Sequence, residues 1–206
     1  VRAARLAAAL AAICAGPAPA QDLIGHGGPV GALALIGESV LSGSFDSRAI
    51  LWDATGAARA ILRVHQGAVT AVAELPQGRV ATGGQDGRVA VWDPAAREPQ
   101  RLVVAGSAPV VGLVADGNDL VAALRDGRLV RLPLDGAAPS SFAAHRDRIT
   151  GLGRLPDGSL VSVGTDRSFA RWRGDRLVAR ADLPELPNGL AVAGARVAVV
   201  FADGAL

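Results

Sequence analysis

Apolar and polar residues alternate in short runs along this chain, and the runs return at a fixed interval. Residues 30–36, 69–75, 110–114 and 149–155 are strand-length apolar stretches. Each precedes a pair of runs joined by a tight turn, as in SGSFDSRAILWD (42–53), TGGQDGRVAVWD (82–93), AALRDGRLVRLP (122–133) and SVGTDRSFARWR (162–173). Alternation with period two, broken at Asp-Gly or a relative of it, predicts a β-hairpin. A fourth run follows at 58–64, 101–105 and 177–181. The four hairpin segments start 40 residues apart without a gap, and a fifth, partial copy ends the chain as VVFADGAL, with Asp203 in the turn 37 residues after Asp166.

Four short antiparallel strands per repeat make a sheet that cannot bury both faces alone, so successive sheets must stack. The expected fold is an all-β propeller with four-stranded blades near 26–64, 65–105, 106–144 and 145–181 and a partial blade at 182–206. Composition agrees: 26 glycines and 12 prolines with 3% aromatics suit many turns, and 50% hydrophobic residues exclude a disordered chain.

The rare residues sharpen the repeat. All three histidines and all three tryptophans fall at equivalent places in copies 1, 2 and 4. With a hydroxyl and an aspartate from each copy they form the sets His26/Ser42/Asp46/Trp52, His65/Thr82/Asp86/Trp92 and His145/Ser162/Asp166/Trp172. With Gly25-His26, Trp52-Asp53 and Trp92-Asp93, residues 22–206 resemble the WD-repeat family. The resemblance implies a hydrogen-bonded chain in each blade: the indole N–H donates to the hydroxyl, the hydroxyl to the imidazole, and the second imidazole nitrogen to the carboxylate. It also implies a ring of about seven blades, of which about four and a half are expected here, so that the chain reads as a fragment of a larger ring. Copy 3 departs from the pattern: it keeps Asp126 but has Ala122, Leu132 and Gly106 in place of the hydroxyl, tryptophan and histidine, and is expected to be the less stable blade. Copy 4 has Arg173 after its tryptophan.

The formal charge of +2 does not mark a nucleic-acid partner. Arg2 and Arg5 precede any acidic residue, and without residues 1–20 the 19 remaining arginines face 19 acidic groups. Residues 1–20 read as a signal peptide: a basic start, an apolar run too short to span a bilayer, and Ala18-Pro19-Ala20 as the cleavage site. Export to a bacterial periplasm follows as the expectation, with no transmembrane helix. Cys14 lies inside the removed segment, so the mature chain has no thiol for a disulfide, a metal or a nucleophile.

Neither a catalytic nor a metal site is expected. Three copies of Ser/Thr, His and Asp argue against one strained nucleophile beside an oxyanion hole, and no G-x-S-x-G elbow occurs. The histidines belong to different blades, and a chain without lysine cannot form a P-loop. Candidate partner-binding residues are those before each turn aspartate, Phe45, Gln85, Arg125 and Thr165, on the rim where loops of one face converge. Phe45 reads either as an aromatic anchor or as packing against a neighbouring loop. Arg48, Arg88 and Arg128, two residues after the aspartates, read either as an arc for carboxylate or phosphate or as solvated strand starts.

The expected function is a non-catalytic scaffold for an unidentified protein partner. The chain is also similar to the propeller part of bacterial proteins that carry a c-type cytochrome domain, which implies an electron-transfer setting. No Cys-x-x-Cys-His motif occurs in these residues, so no cofactor is expected in this chain, and haem c would belong to sequence beyond Leu206. A third reading, a periplasmic hydrolase or dehydrogenase, needs a polar central pocket separate from the histidine sets.

Overall fold

Hairpins stacked side by side account for all the regular structure except one short 3-10 turn, in a computed structural model that describes residues 22–96 and 98–205. The signal-peptide reading of residues 1–20, Cys14 included, lies outside the described residues.

Blade 1 comprises β1 (Val30–Ile36), β2 (Ser39–Ser44), β3 (Arg48–Trp52) and β4 (Ala58–Arg63); blade 2 comprises β5 (Val69–Glu74), β6 (Val80–Gly84), β7 (Arg88–Trp92) and β8 (Arg101–Val104). Blade 3 holds β9 (Val110–Asp116), β10 (Asp119–Leu124), β11 (Arg128–Pro133) and β12 (Ser140–Ala143), and blade 4 holds β13 (Ile149–Arg154), β14 (Leu160–Gly164), β15 (Ser168–Arg173) and β16 (Arg176–Asp182). Two further strands, β17 (Pro187–Ala193) and β18 (Arg196–Phe201), pair as a fifth sheet. Each complete sheet is antiparallel with its strands in chain order.

The hairpin turns show why Asp-Gly recurs. The residue after the aspartate takes positive φ in every complete blade: Ser47 at 67°, Gly87 at 71°, Gly127 at 87° and Arg167 at 58°. The aspartate stabilises this turn by accepting a hydrogen bond from the backbone N–H two residues on, Arg48, Arg88, Arg128 or Ser168, at 3.0–3.2 Å.

The first strands of successive sheets pack together, β1 on β5, β5 on β9, β9 on β13 and β13 on β17. The core therefore lies between sheets. Leu41, Ala49 and Leu51 of blade 1 meet Val80, Ala90 and Trp92 of blade 2, and Val121, Ala123 and Leu129 of blade 3 meet Ile149, Leu160 and Trp172 of blade 4. Burial is greatest in the second strands, as in β10 and β14, and least in the outermost, where every residue of β16 is exposed. Such burial is what a stack with its apolar flanks turned to its neighbours requires.

Candidate functional site

The histidine sets assemble at one end of blades 1, 2 and 4. The turn between the second and third strands supplies the aspartate, the second strand the hydroxyl, the third strand the tryptophan, and the segment before the first strand the histidine. In blade 1, Trp52 Nε1–H donates to Ser42 Oγ at 2.8 Å, Ser42 Oγ lies 2.8 Å from His26 Nε2, and His26 Nδ1 lies 3.1 Å from Asp46 Oδ2. In blade 2, Trp92 donates to Thr82 at 3.0 Å, Thr82 Oγ1 and His65 Nε2 are 2.9 Å apart, and His65 Nδ1 and Asp86 Oδ1 3.1 Å. Blade 4 has 3.0, 2.8 and 2.9 Å for the same steps from Trp172 through Ser162 and His145 to Asp166. With the indole donating, the hydroxyl proton is free for Nε2, and Nδ1–H is left for the carboxylate.

The second carboxylate oxygen holds the segment that carries the histidine. Asp46, Asp86 and Asp166 accept from the backbone N–H groups of Gly27, Gln66 and Arg146 at 2.8, 3.0 and 3.0 Å. Burial pushes these carboxyls up, but the backbone donors and the histidines outweigh it and hold all three below the ordinary 3.8. Ser42, Thr82 and Ser162 are buried, so none can meet a substrate unless its blade opens. Among the described residues no cluster of three or more His, Cys, Asp or Glu side chains could hold a metal ion, and no helix is long and apolar enough to cross a membrane.

Blade 4 adds two residues that the sequence pattern did not single out. Ser168 stands where copies 1–3 carry Arg48, Arg88 and Arg128; its hydroxyl donates to Asp166 Oδ1 at 2.8 Å and lies 3.1 Å from His145 Nδ1. Arg180 of β16 donates to Ser168 Oγ at 2.8 Å and to the Ala144 carbonyl at 2.5 Å, and sits 3.6 Å from Asp166. A cleft of about 350 Å³ opens beside this group. Burial first, and the Arg180 charge with it, hold the His145 imidazole below its ordinary 6.5, against the pull of Asp166.

The unfolded chain therefore takes up the His145 proton before the folded one does. Stability is complete above pH 6.5 and falls as the pH drops below that value, until the folded imidazole itself is protonated. The aspartates add a further loss as the pH falls through their folded values, below 3.8. Urea midpoints measured on either side of pH 6.5 are expected to be lower on the acid side, with a smaller difference in His145→Gln.

In blade 3 the space of the missing histidine is refilled. Gly106 has no side chain, and Leu124, where blades 2 and 4 have Gly84 and Gly164, occupies the room: a Cβ on Gly106 would lie 2.7 Å from Leu124 Cδ1. Leu120, Ala122, Leu124 and Leu132 are all buried in the cluster shared with blade 2. At the opposite end of blade 3, Arg131 bonds Asp116 and Asp119 at 2.8 and 2.9 Å, and Arg154 of blade 4 bonds Asp116 at 2.9 Å.

The four residues before the turn aspartates lie on one face. Their backbone N–H groups donate to the carbonyls of Pro29, Ala68, Pro109 and Arg148 at 3.0, 2.9, 2.9 and 2.8 Å for Phe45, Gln85, Arg125 and Thr165, which fixes the turns to the loops before each first strand. The Phe45 ring packs over Gly31 and is still 55% exposed. Arg125 and Gln85 are exposed and Thr165 half-buried. Arg48, Arg88 and Arg128 begin β3, β7 and β11; the first two are half-buried, and the exposed Arg128 donates to Ser141 Oγ of its own blade.

Stacked four-stranded blades, three of them carrying the same Trp, Ser/Thr, His and Asp group, define a β-propeller-type array. Residues 56–93 match the model of the family described as WD domain, G-beta repeat. The WD40 beta propeller domain of Doa1 superposes with a TM-score of 0.82 at 22% identity, over 92% of this chain and 66% of that one. The computationally designed Ika8 protein superposes with a TM-score of 0.77 at 25% identity, over 89% of this chain and 59% of that one. The family model thus matches the second blade, and the solved structures share the fold.

Among curated proteins, Cell division cycle 20.1, cofactor of APC complex, of Arabidopsis thaliana is 30% identical over 152 residues, or 70% of this chain. Telomerase protein component 1 of Mus musculus is 26% identical over 173 residues, or 78% of this chain. The chain spans 33% and 7% of the length of these two relatives.

Proposed function

We propose that this WD40 array is a non-catalytic scaffold that binds a protein partner through the face bearing Phe45, Gln85, Arg125 and Thr165. The observation that carries the reading is Phe45: a large aromatic ring, 55% exposed, on a turn pinned by its backbone to the Pro29 carbonyl. An exposed aromatic held on a rigid turn suits a binding hot spot, since little rotamer entropy is lost when it is covered. The hydroxyls, imidazoles and carboxylates of the three histidine sets are engaged in holding the turns of this face. The segment 1–20 supports an extracytoplasmic setting for the interaction, on its basic start, apolar run and Ala18-Pro19-Ala20.

The test is partner capture with matched variants. A protein retained by the native chain is expected to bind Phe45→Ala at least about tenfold more weakly. The thermal midpoint should not move, because the ring stands outside the core between the blades. Equal retention by Phe45→Ala and by an Arg125→Ala, Gln85→Ala double variant overturns the assignment of this face.

A further inference from the structure

A cleft of about 210 Å³ lies where blades 3 and 4 meet the fifth sheet, on the face that carries Arg125. It is lined by Val111 of β9, Arg125, Arg148, Ile149 and Thr150 of β13, and Asn188 of β17. The polar side chains of this lining are two guanidinium groups, a hydroxyl and an amide, all able to donate, with no carboxylate among them. Ile149 is buried and Val111 half-buried, so one side of the cleft is apolar.

Both arginines are fixed by their backbones. Arg125 N–H donates to the Pro109 carbonyl at 2.9 Å, and the Arg148 carbonyl accepts from Thr165 N–H at 2.8 Å and Thr165 Oγ1 at 3.3 Å. Arg131, Arg171 and Arg180 of the same two blades are all paired with aspartates. Among the described residues the guanidinium groups of Arg125 and Arg148 neither donate a hydrogen bond nor join an ion pair. The aspartates beside them in sequence are committed to the backbone: Asp126 accepts from Arg128 N–H at 3.2 Å and Asp147 from Arg148 N–H at 2.7 Å, and neither lines the cleft.

Thr150 adds an independent sign. Val69 pairs with Gly84 as Ile149 pairs with Gly164, so Thr70 is the blade 2 counterpart of Thr150. Thr70 Oγ1 donates to the Val110 carbonyl of blade 3 and so ties two blades together. Thr150 makes no such bond to the fifth sheet; the Val163 carbonyl lies 3.5 Å from its hydroxyl, beyond the usual O–H···O range of about 2.5–3.0 Å. Its proton is available to something placed in the cleft.

We propose, resting on the reading of this face as a partner-binding surface, that the cleft receives an acidic segment of the protein partner, whose carboxylates accept from Arg125, Arg148, Thr150 and Asn188. The planar fork of each arginine matches a carboxylate with two parallel hydrogen bonds, and two unpaired positive charges call for two acidic residues in the segment. The apolar side formed by Val111 and Ile149 lowers the local dielectric and strengthens the pairing beyond that of solvated ions.

Fluorescence anisotropy with a labelled hexaglutamate peptide tests the cleft directly. Hexaglutamate is expected to bind the native chain, more weakly as salt is raised, and hexaglutamine not to bind. Arg125→Gln and Arg148→Gln should each weaken hexaglutamate binding at least about fivefold. Asn188→Asp, at an exposed position, sets a carboxylate in the cleft without changing its shape and should weaken binding by a similar factor. Arg148→Lys keeps the charge without the fork and should fall between Arg148→Gln and the native chain. Unchanged thermal midpoints would show the variants folded. Phe45 does not line the cleft, so Phe45→Ala should bind hexaglutamate as the native chain does. A partner lost by Phe45→Ala but kept by Arg148→Gln would leave the face as the binding surface and overturn the cleft. Hexaglutamate bound equally by the native chain, Arg148→Gln and Asn188→Asp overturns the proposal. So does displacement of the peptide by inorganic phosphate and not by acetate at equal ionic strength, which would make phosphate the ligand.

Discussion

Replacing Trp92 by alanine is expected to lower the unfolding free energy by about 3–5 kcal/mol, the range for removing a fully buried large aromatic side chain. Trp92 is wholly buried and packs against Leu41, Ala49 and Leu51 of blade 1, so the change opens a cavity between two blades. It also removes the donor to Thr82 Oγ1, and that hydroxyl remains bonded to His65 alone. Trp92→Phe separates the two effects, since it keeps most of the packing and loses only the hydrogen bond, a term of about 1 kcal/mol. Urea titration of the three proteins checks the order; Trp92→Phe as damaging as Trp92→Ala would place the weight on the hydrogen bond and not on the cavity.

Leu124→Ala in blade 3 comes next, with an expected loss of about 2–5 kcal/mol. Leu124 fills the room that His65 and His145 take in their own blades, beside a glycine that offers no alternative cover. The same substitution on the surface, at Leu102 of β8, which is 42% exposed, should cost much less. A shift in urea midpoint for Leu124→Ala no larger than that for Leu102→Ala would show that the third blade relaxes into the cavity. The leucine also changes the expectation for this blade. Counting lost hydrogen bonds makes copy 3 the weak one, but a buried polar group carries its own desolvation cost, and replacing it by well-packed apolar residues is often neutral or stabilising. Gly106, Ala122, Leu124 and Leu132 are a coordinated change, and the weakness inferred from the missing polar residues does not follow from the structure.

The strand pattern was legible where apolar runs are long and the turn chemistry is explicit. Asp86-Gly87 and Asp126-Gly127 announce their turns, because the residue after the aspartate needs positive φ; Ser47 and Arg167 adopt it too, and there the repeat, not the residue, marks the turn. β12 (Ser140–Ala143) escaped notice because Ser-Ser-Phe-Ala has little apolar character and no room for alternation. The members of the histidine sets could be named from rarity and spacing, since three histidines and three tryptophans in register leave few other arrangements. Arg180 and Ser168 could not. Arg180 reaches the His145 set from the outermost strand across a pairing of β15 with β16, and one more arginine among 21 carries no pattern. The bonds from Arg131 and Arg154 to Asp116 were hidden for the same reason, because Arg154 and Asp116 are 38 residues apart and meet only when blades 3 and 4 stack.

The packing of each first strand against the next has a consequence for how the molecule comes apart. Blades touch in chain order, so the free energy is a sum of sheets and the seams between them, in the manner of a one-dimensional lattice. An interior sheet such as blade 2 or 3 has two seams to lose, and the cooperativity of opening is set by how strongly a seam couples its two sheets. The melting enthalpy inferred from the steepness of the transition would fall short of the heat absorbed whenever that coupling is weaker than a sheet's own stability, and a single unfolding constant would describe a seam, not the whole chain.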